Sequence, residues 1–63
     1  MKNNIKELRK AKGLRQEDFA NVLGVTRQTV IAIENNKYDP TLELAMKMSA
    51  FFGVPVNDIF TLE

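Results

Sequence analysis

The stretch that decides the fold is Gln16-Glu17-Asp18-Phe19-Ala20-Asn21-Val22-Leu23-Gly24-Val25-Thr26-Arg27-Gln28-Thr29-Val30-Ile31-Ala32-Ile33-Glu34-Asn35. Phe19, Ala20 and Leu23 share one face of a helix that starts near Arg15 or Gln16 and stops at Gly24. Thr26 is a good N-cap for a second helix, Arg27 to about Asn35, which turns Val30 and Ile33 inward. Between them Gly24 supplies the positive φ of a tight turn at no steric cost, and Ala20 keeps the first helix thin where the second crosses it. Ala20, Gly24 and Val30 inside a correct apolar mask are jointly far rarer than any one of them. The unit predicts two short helices crossing steeply over a tight turn.

Outward from this unit the same signals recur. Asn4 to Lys12 carries Ile5 and Leu8 on one stripe and ends at Gly13. Residues 35–40, Asn-Asn-Lys-Tyr-Asp-Pro, form a turn-rich loop in which Asn36 can take the left-handed conformation. Thr41 caps a helix to about Phe52 with Leu44, Ala45, Met48 and Phe52 inward, and Gly53 closes it. Pro55 to Phe60 reads as a short fifth helix and 61–63 as a tail. The expected fold is all-α, a compact five-helix arrangement in one domain over residues 1–63, with the decisive unit at 16–35.

Composition removes whole classes of function. The 63 residues hold no cysteine and no histidine, so disulfides, thiolate metal sites, the usual general base and the usual zinc ligand are all missing. Nothing points to a metal, a cofactor or a small-molecule ligand. Glu17 and Asp18 are adjacent in a first helical turn, where they favour the helix dipole rather than forming a catalytic pair. A chain this short also leaves little room for a substrate pocket of about 300 Å³, so no enzyme is expected. The apolar run 48–56 is far shorter than the roughly 20 residues of a membrane span. No secretory signal opens the chain, and the expected location is the cytoplasm.

Net charge is only +1, but it is segregated. Residues 1–38 carry eight Lys and Arg against four acids, and residues 39–63 carry one Lys against four acids. That layout presents one basic face to a polyanion, or is an ordinary solvated surface with a chance asymmetry.

The motifs Ile5-Lys6-Glu7-Leu8-Arg9, Gly13-Leu14-Arg15-Gln16-Glu17-Asp18-Phe19-Ala20, Leu23-Gly24-Val25-Thr26-Arg27-Gln28-Thr29-Val30, Ile33-Glu34-Asn35-Asn36-Lys37 and Pro40-Thr41-Leu42-Glu43-Leu44-Ala45 cover nearly the whole chain. In these the sequence resembles the phage-repressor and Cro-like helix-turn-helix proteins, the XRE family. The resemblance implies a domain that binds double-stranded DNA with its third helix in the major groove, as a transcriptional regulator. It implies base reading by Thr26, Arg27, Gln28 and Thr29 on the exposed first turn of that helix. The chemistry agrees: Arg suits guanine, Gln suits adenine, and a threonine methyl suits thymine. Gln16 looks like the family's phosphate contact at a helix N-terminus. Asn35 and Lys37 occupy the loop expected to hold the phosphate backbone. The resemblance also places Arg9 beside Glu34 as a partly buried ion pair.

The sequence departs from the family at two points. Arg15 stands where a capping Ser or Thr is usual, exchanging a hydroxyl for a further phosphate contact, and Asn36 stands where Gly is usual. Ile31 and Ala32 fall near the groove side, open to thymine methyls or, for Ile31, to a neighbouring loop.

One recognition helix reads only about 4 to 5 base pairs, so a homodimer on a palindromic operator is expected. Phe51, Phe60 and Leu62 are apolar beyond what so small a core obviously needs, which places the expected interface in the C-terminal third. The competing class is a protein-interaction module, an antitoxin-like or accessory subunit. RNA binding is disfavoured because Tyr38 is the one exposed aromatic expected outside the C-terminal helices.

Overall fold

The computed structural model describes residues 1–62. Its elements run β1 (Lys2–Asn3), α1 (Ile5–Ala11), α2 (Gln16–Leu23), α3 (Arg27–Glu34), α4 (Leu42–Phe52), α5 (Val56–Ile59) and β2 (Phe60–Thr61). The five helices lie where the periodicity places them. The end of the expected tail, Glu63, lies outside the described residues.

Helix ends explain why the chain turns where it does. Four helices close in the same way, with a left-handed residue just past the end: Gly13, Gly24, Asn36 and Gly53. At Gly24 the Val25 N–H donates to the Ala20 carbonyl at 3.0 Å and the Gly24 N–H to Asn21 at 3.3 Å, which satisfies carbonyls the helix leaves open. At Asn36 the pattern repeats, with Lys37 N–H donating to Ala32 at 2.9 Å and Asn36 N–H to Ile33 at 3.1 Å. The starts are capped too. Thr26 Oγ1 accepts from the Thr29 N–H and Thr41 Oγ1 from the Leu44 N–H, each at 3.2 Å.

The core is one cluster drawn from every helix: Ile5, Phe19, Ala20, Leu23, Val30, Ile33, Leu44, Ala45, Met48, Ile59 and Phe60. Phe19 is fully buried at its centre, with the Phe52 ring stacked 5.1 Å away and Phe51 at 5.9 Å. Ala20 is buried as well, as the close crossing of α2 and α3 requires.

The ends of the chain depart from the sequence reading. Lys2–Asn3 pairs antiparallel with Phe60–Thr61, Asn3 opposite Phe60, and the Asn4 N–H donates to the Ile59 carbonyl at 3.1 Å. Phe60 was expected to close the fifth helix and to help form an outward apolar patch. Instead it leaves the helix with φ −116° and ψ 141°, opens β2, and is only 6% exposed. Pairing with the N-terminal strand draws its ring into the core. Leu62 does stand out in solvent at 85% exposure, and Phe51 is half-buried with the Lys12 ammonium 5.2 Å above its ring.

Candidate nucleic-acid interface

The two sides of α3 differ in kind. Val30 and Ile33 are buried against the core, while Arg27 and Gln28 are exposed and Thr29, Ile31 and Ala32 are half-buried. Because i and i+4 align on a helix, Arg27 and Ile31 share one outward row, and Gln28, Ala32 and the exposed Asn35 share the next. This is a stripe of two long polar side chains at the leading end followed by short or apolar ones. The shape allows a helix to approach a groove closely. The first turn is held rigid by Thr26, whose hydroxyl caps the helix and lies 3.1 Å from that of Thr29. The Thr26 oxygen therefore serves the fold, leaving its methyl for any outside partner.

Gln16 begins α2 and does not stand free. Its Nε2 donates to Glu34 Oε1 at 3.3 Å. Glu34 also accepts from Arg9, Nε to Oε2 at 2.9 Å and Nη2 to Oε1 at 3.2 Å, in the ion pair that the resemblance implied. Only 8% of the Arg9 side chain and 5% of the Glu34 side chain remain exposed, and Arg9 Nη1 donates further to the Leu14 carbonyl at 2.9 Å. Each side-chain nitrogen and oxygen of this pair has a partner, which is the condition under which two buried charges are tolerated.

Above it opens a cleft of about 380 Å³ lined by Arg9, Arg15, Gln16, Glu17 and Arg27. Its volume exceeds what so short a chain was expected to enclose. It is nonetheless an open surface depression, and three of its five lining residues are arginines. Arg15 is exposed at the α2 N-cap position. A guanidinium cannot accept the amide proton that Ser or Thr would take. The cap keeps only its other half, the Arg15 N–H donating to Asp18 Oδ2 at 3.0 Å, with Asp18 also 3.5 Å from Arg15 Nε. Asn35 and Lys37 are exposed on either side of Asn36, whose φ of 60° confirms the left-handed turn.

A family model described as Helix-turn-helix matches residues 5–59. The chain belongs to the XRE-type helix-turn-helix family. It is 57% identical over 63 residues to an HTH-type transcriptional regulator of Methanocaldococcus jannaschii and 49% identical to the HTH-type transcriptional regulator YgzD of Bacillus subtilis, covering all of this chain and 96% of each relative. It is 37% identical over 57 residues to the cryptic phage CTXphi transcriptional repressor RstR of Vibrio cholerae, covering 90% of this chain and 51% of that one. The protein is thus a transcriptional regulator built on a DNA-binding domain, in a family of regulators rather than enzymes.

Within this XRE-type domain the structure brings Arg15, Gln16 and Arg27 around one cleft and sets Lys37 beyond the far end of α3. Sequence reading missed Asn3. Its Nδ2 donates to the Ile33 carbonyl at 2.9 Å and to Asn36 Oδ1 at 3.1 Å, and its Oδ1 accepts from the Ile5 N–H at 3.1 Å. The available signal was an Asn two residues before the first helical position, a local capping pattern. Its long-range half had no signal in the sequence. Among the described residues no cluster of acids is arranged to hold a metal, and no helix is long and apolar enough to cross a membrane.

Proposed function

We propose that this domain is a repressor that binds a palindromic operator as a homodimer. Arg27 and Gln28 read base edges in the major groove, flanked by the Thr26 methyl and by Thr29. Gln16, Arg15, Asn35 and Lys37 hold the phosphate backbone on either side. The observation that carries this is the two-sided character of α3: buried Val30 and Ile33 fix the helix, and the exposed Arg27 and Gln28 opposite them suit guanine and adenine. The basic character of residues 1–38 supports it, since all of these contacts fall there. Repression is favoured by the likeness to a phage repressor. It works by occupancy, with no chemistry of its own.

Dimerisation supplies the second half-site that discrimination needs. The uncovered apolar side chains that support it are Leu62 at the chain's end and Leu42 and Met46, one turn apart on α4, which are 85%, 75% and 59% exposed. Selection of bound duplexes from a random pool tests the proposal, because it returns half-site, symmetry and spacing together. Two inverted half-sites about one helical turn apart are expected. Recovery of no enriched sequence would count against base reading. Salt titration separates DNA from a partner protein: contacts to phosphates weaken steeply with salt, and an apolar protein interface does not.

A further inference from the structure

Glu34 joins three segments of the chain. It takes two hydrogen bonds from Arg9 of α1 and one from Gln16 of α2, while Arg9 also ties down the Leu14 carbonyl in the turn that leads into α2. With both charged side chains more than nine-tenths buried, packing fixes where the carboxylate points. Gln16 is only half-buried and stands at the edge of the arginine-lined cleft.

An ionised carboxylate only accepts hydrogen bonds, whereas a glutamine amide has a donor end and an acceptor end of nearly the same shape. A free Gln16 offers either end to a ligand. Beside Glu34 its carbonyl is repelled, so the nitrogen is held toward the carboxylate and gives it one N–H. The second N–H is left for an outside acceptor, and a phosphate oxygen is also acceptor-only. Holding the amide in advance spares the ordering of a flexible side chain on binding. Arg9 cancels the carboxylate's charge, so the group that orients Gln16 does not repel the phosphate.

We propose that the buried Arg9–Glu34 pair is a positioning device for Gln16, presenting its amide nitrogen to a backbone phosphate. This rests on the DNA-binding reading above. Its test is a double-mutant cycle between Gln16→Ala and the paired change Arg9→Met/Glu34→Leu, which keeps the interior filled with apolar groups. Affinity for a selected duplex is measured alongside the melting temperature. In the parent background Gln16→Ala is expected to weaken binding about tenfold, the worth of one hydrogen bond to a charged group. The paired change is expected to weaken binding by nearly the same factor while the protein still melts cooperatively. Adding Gln16→Ala to it is expected to cost less than about twofold more.

A merely structural role for the pair predicts instead a full Gln16→Ala effect in both backgrounds. That result overturns the proposal, as does a paired variant that binds like the parent, or a Gln16→Ala variant that binds like the parent. Should the paired change fail to fold, Glu34→Gln takes its place in the cycle, measured below its own melting midpoint, because its amide still offers Arg9 an acceptor, can turn either end toward Gln16 and removes the orientation at little change in shape. A parent that binds no duplex at all removes the DNA-binding reading itself, and is told apart from these outcomes by that.

Discussion

The side-chain amide of Asn3 donates to the side-chain oxygen of Asn36 at 3.1 Å, across 33 residues of chain. The same amide holds the Ile33 carbonyl, so the C-terminal end of α3 is fastened to β1. This gives a reason for Asn at a left-handed position that Gly would also suit. Both tolerate positive φ, but only Asn offers an acceptor. Asn3→Ala is expected to cost about 1 kcal/mol or slightly more, because it frees a carbonyl and an N–H together. In so small a domain that lowers Tm by about 4 to 8 °C. Asn36→Gly should change Tm much less, since relief of the left-handed backbone offsets the lost bond. A thermal melt of each variant decides it, and an unchanged Tm in Asn3→Ala would show that the fastening does not depend on Asn3.

Glu34→Ala leaves the Arg9 charge buried without its carboxylate. The expected cost is about 3 to 5 kcal/mol, enough to unfold much of the population of a marginal domain. Arg9→Met/Glu34→Leu should melt close to the parent, because the desolvation of both charges goes with them. Urea denaturation of the two variants checks this. A Glu34→Ala protein with an unchanged midpoint would mean that the pair contributes nothing.

Arg27 and Lys37 are expected to fail differently. Arg27→Ala should cost about 1 to 3 kcal/mol on the preferred operator and relax preference at one base pair in each half-site. Lys37→Ala should weaken all duplexes alike and lower the salt slope by about 1. Both side chains are exposed, so both variants should melt like the parent. Affinities for a matched and a base-substituted duplex make the comparison, and an Arg27→Ala loss that is equal on both would reassign Arg27 to the backbone.

Thr26 serves the fold through its oxygen and is expected to meet DNA through its methyl. Thr26→Ala should therefore destabilise by about 1 kcal/mol through loss of the cap, whereas Thr26→Ser should keep stability and lose only affinity. Melting and binding curves of the pair separate the two roles; a Thr26→Ser variant as unstable as Thr26→Ala contradicts the capping assignment.

Leu62 and Phe60 separate association from folding. Leu62→Asp, at an 85% exposed position, should leave Tm unchanged at low concentration and shift sedimentation toward monomer. Phe60→Ala removes a core ring and should cost about 3 to 5 kcal/mol. Sedimentation of Leu62→Asp identical to the parent at tens of micromolar would exclude Leu62 from any interface.

What could be read from the sequence was whatever a helix announces locally. The caps at Thr26 and Thr41, the stops at Gly13, Gly24, Asn36 and Gly53, and the inward rows of α2 to α4 all act within one or two turns, and all lie where expected. Strands of two residues have no periodicity to detect, so the β1–β2 pair was invisible, and with it the reason Phe60 turns inward. The Gln16–Glu34 bond and the long-range bonds of Asn3 are likewise tertiary, made by polar residues that read locally as surface.

The pairing of residues 2 and 3 with 60 and 61 bears on the order of events in synthesis. Ile59 and Phe60 come last in the sequence among the core residues, and β1 has no partner until residues 60 and 61 are made. Residues 16–35 are made well before that, but β1 must wait until residues 60 and 61 have emerged. α3 thus acquires its C-terminal fastening late, and a chain interrupted before Phe60 would carry the α2–α3 unit without the clasp at its far end.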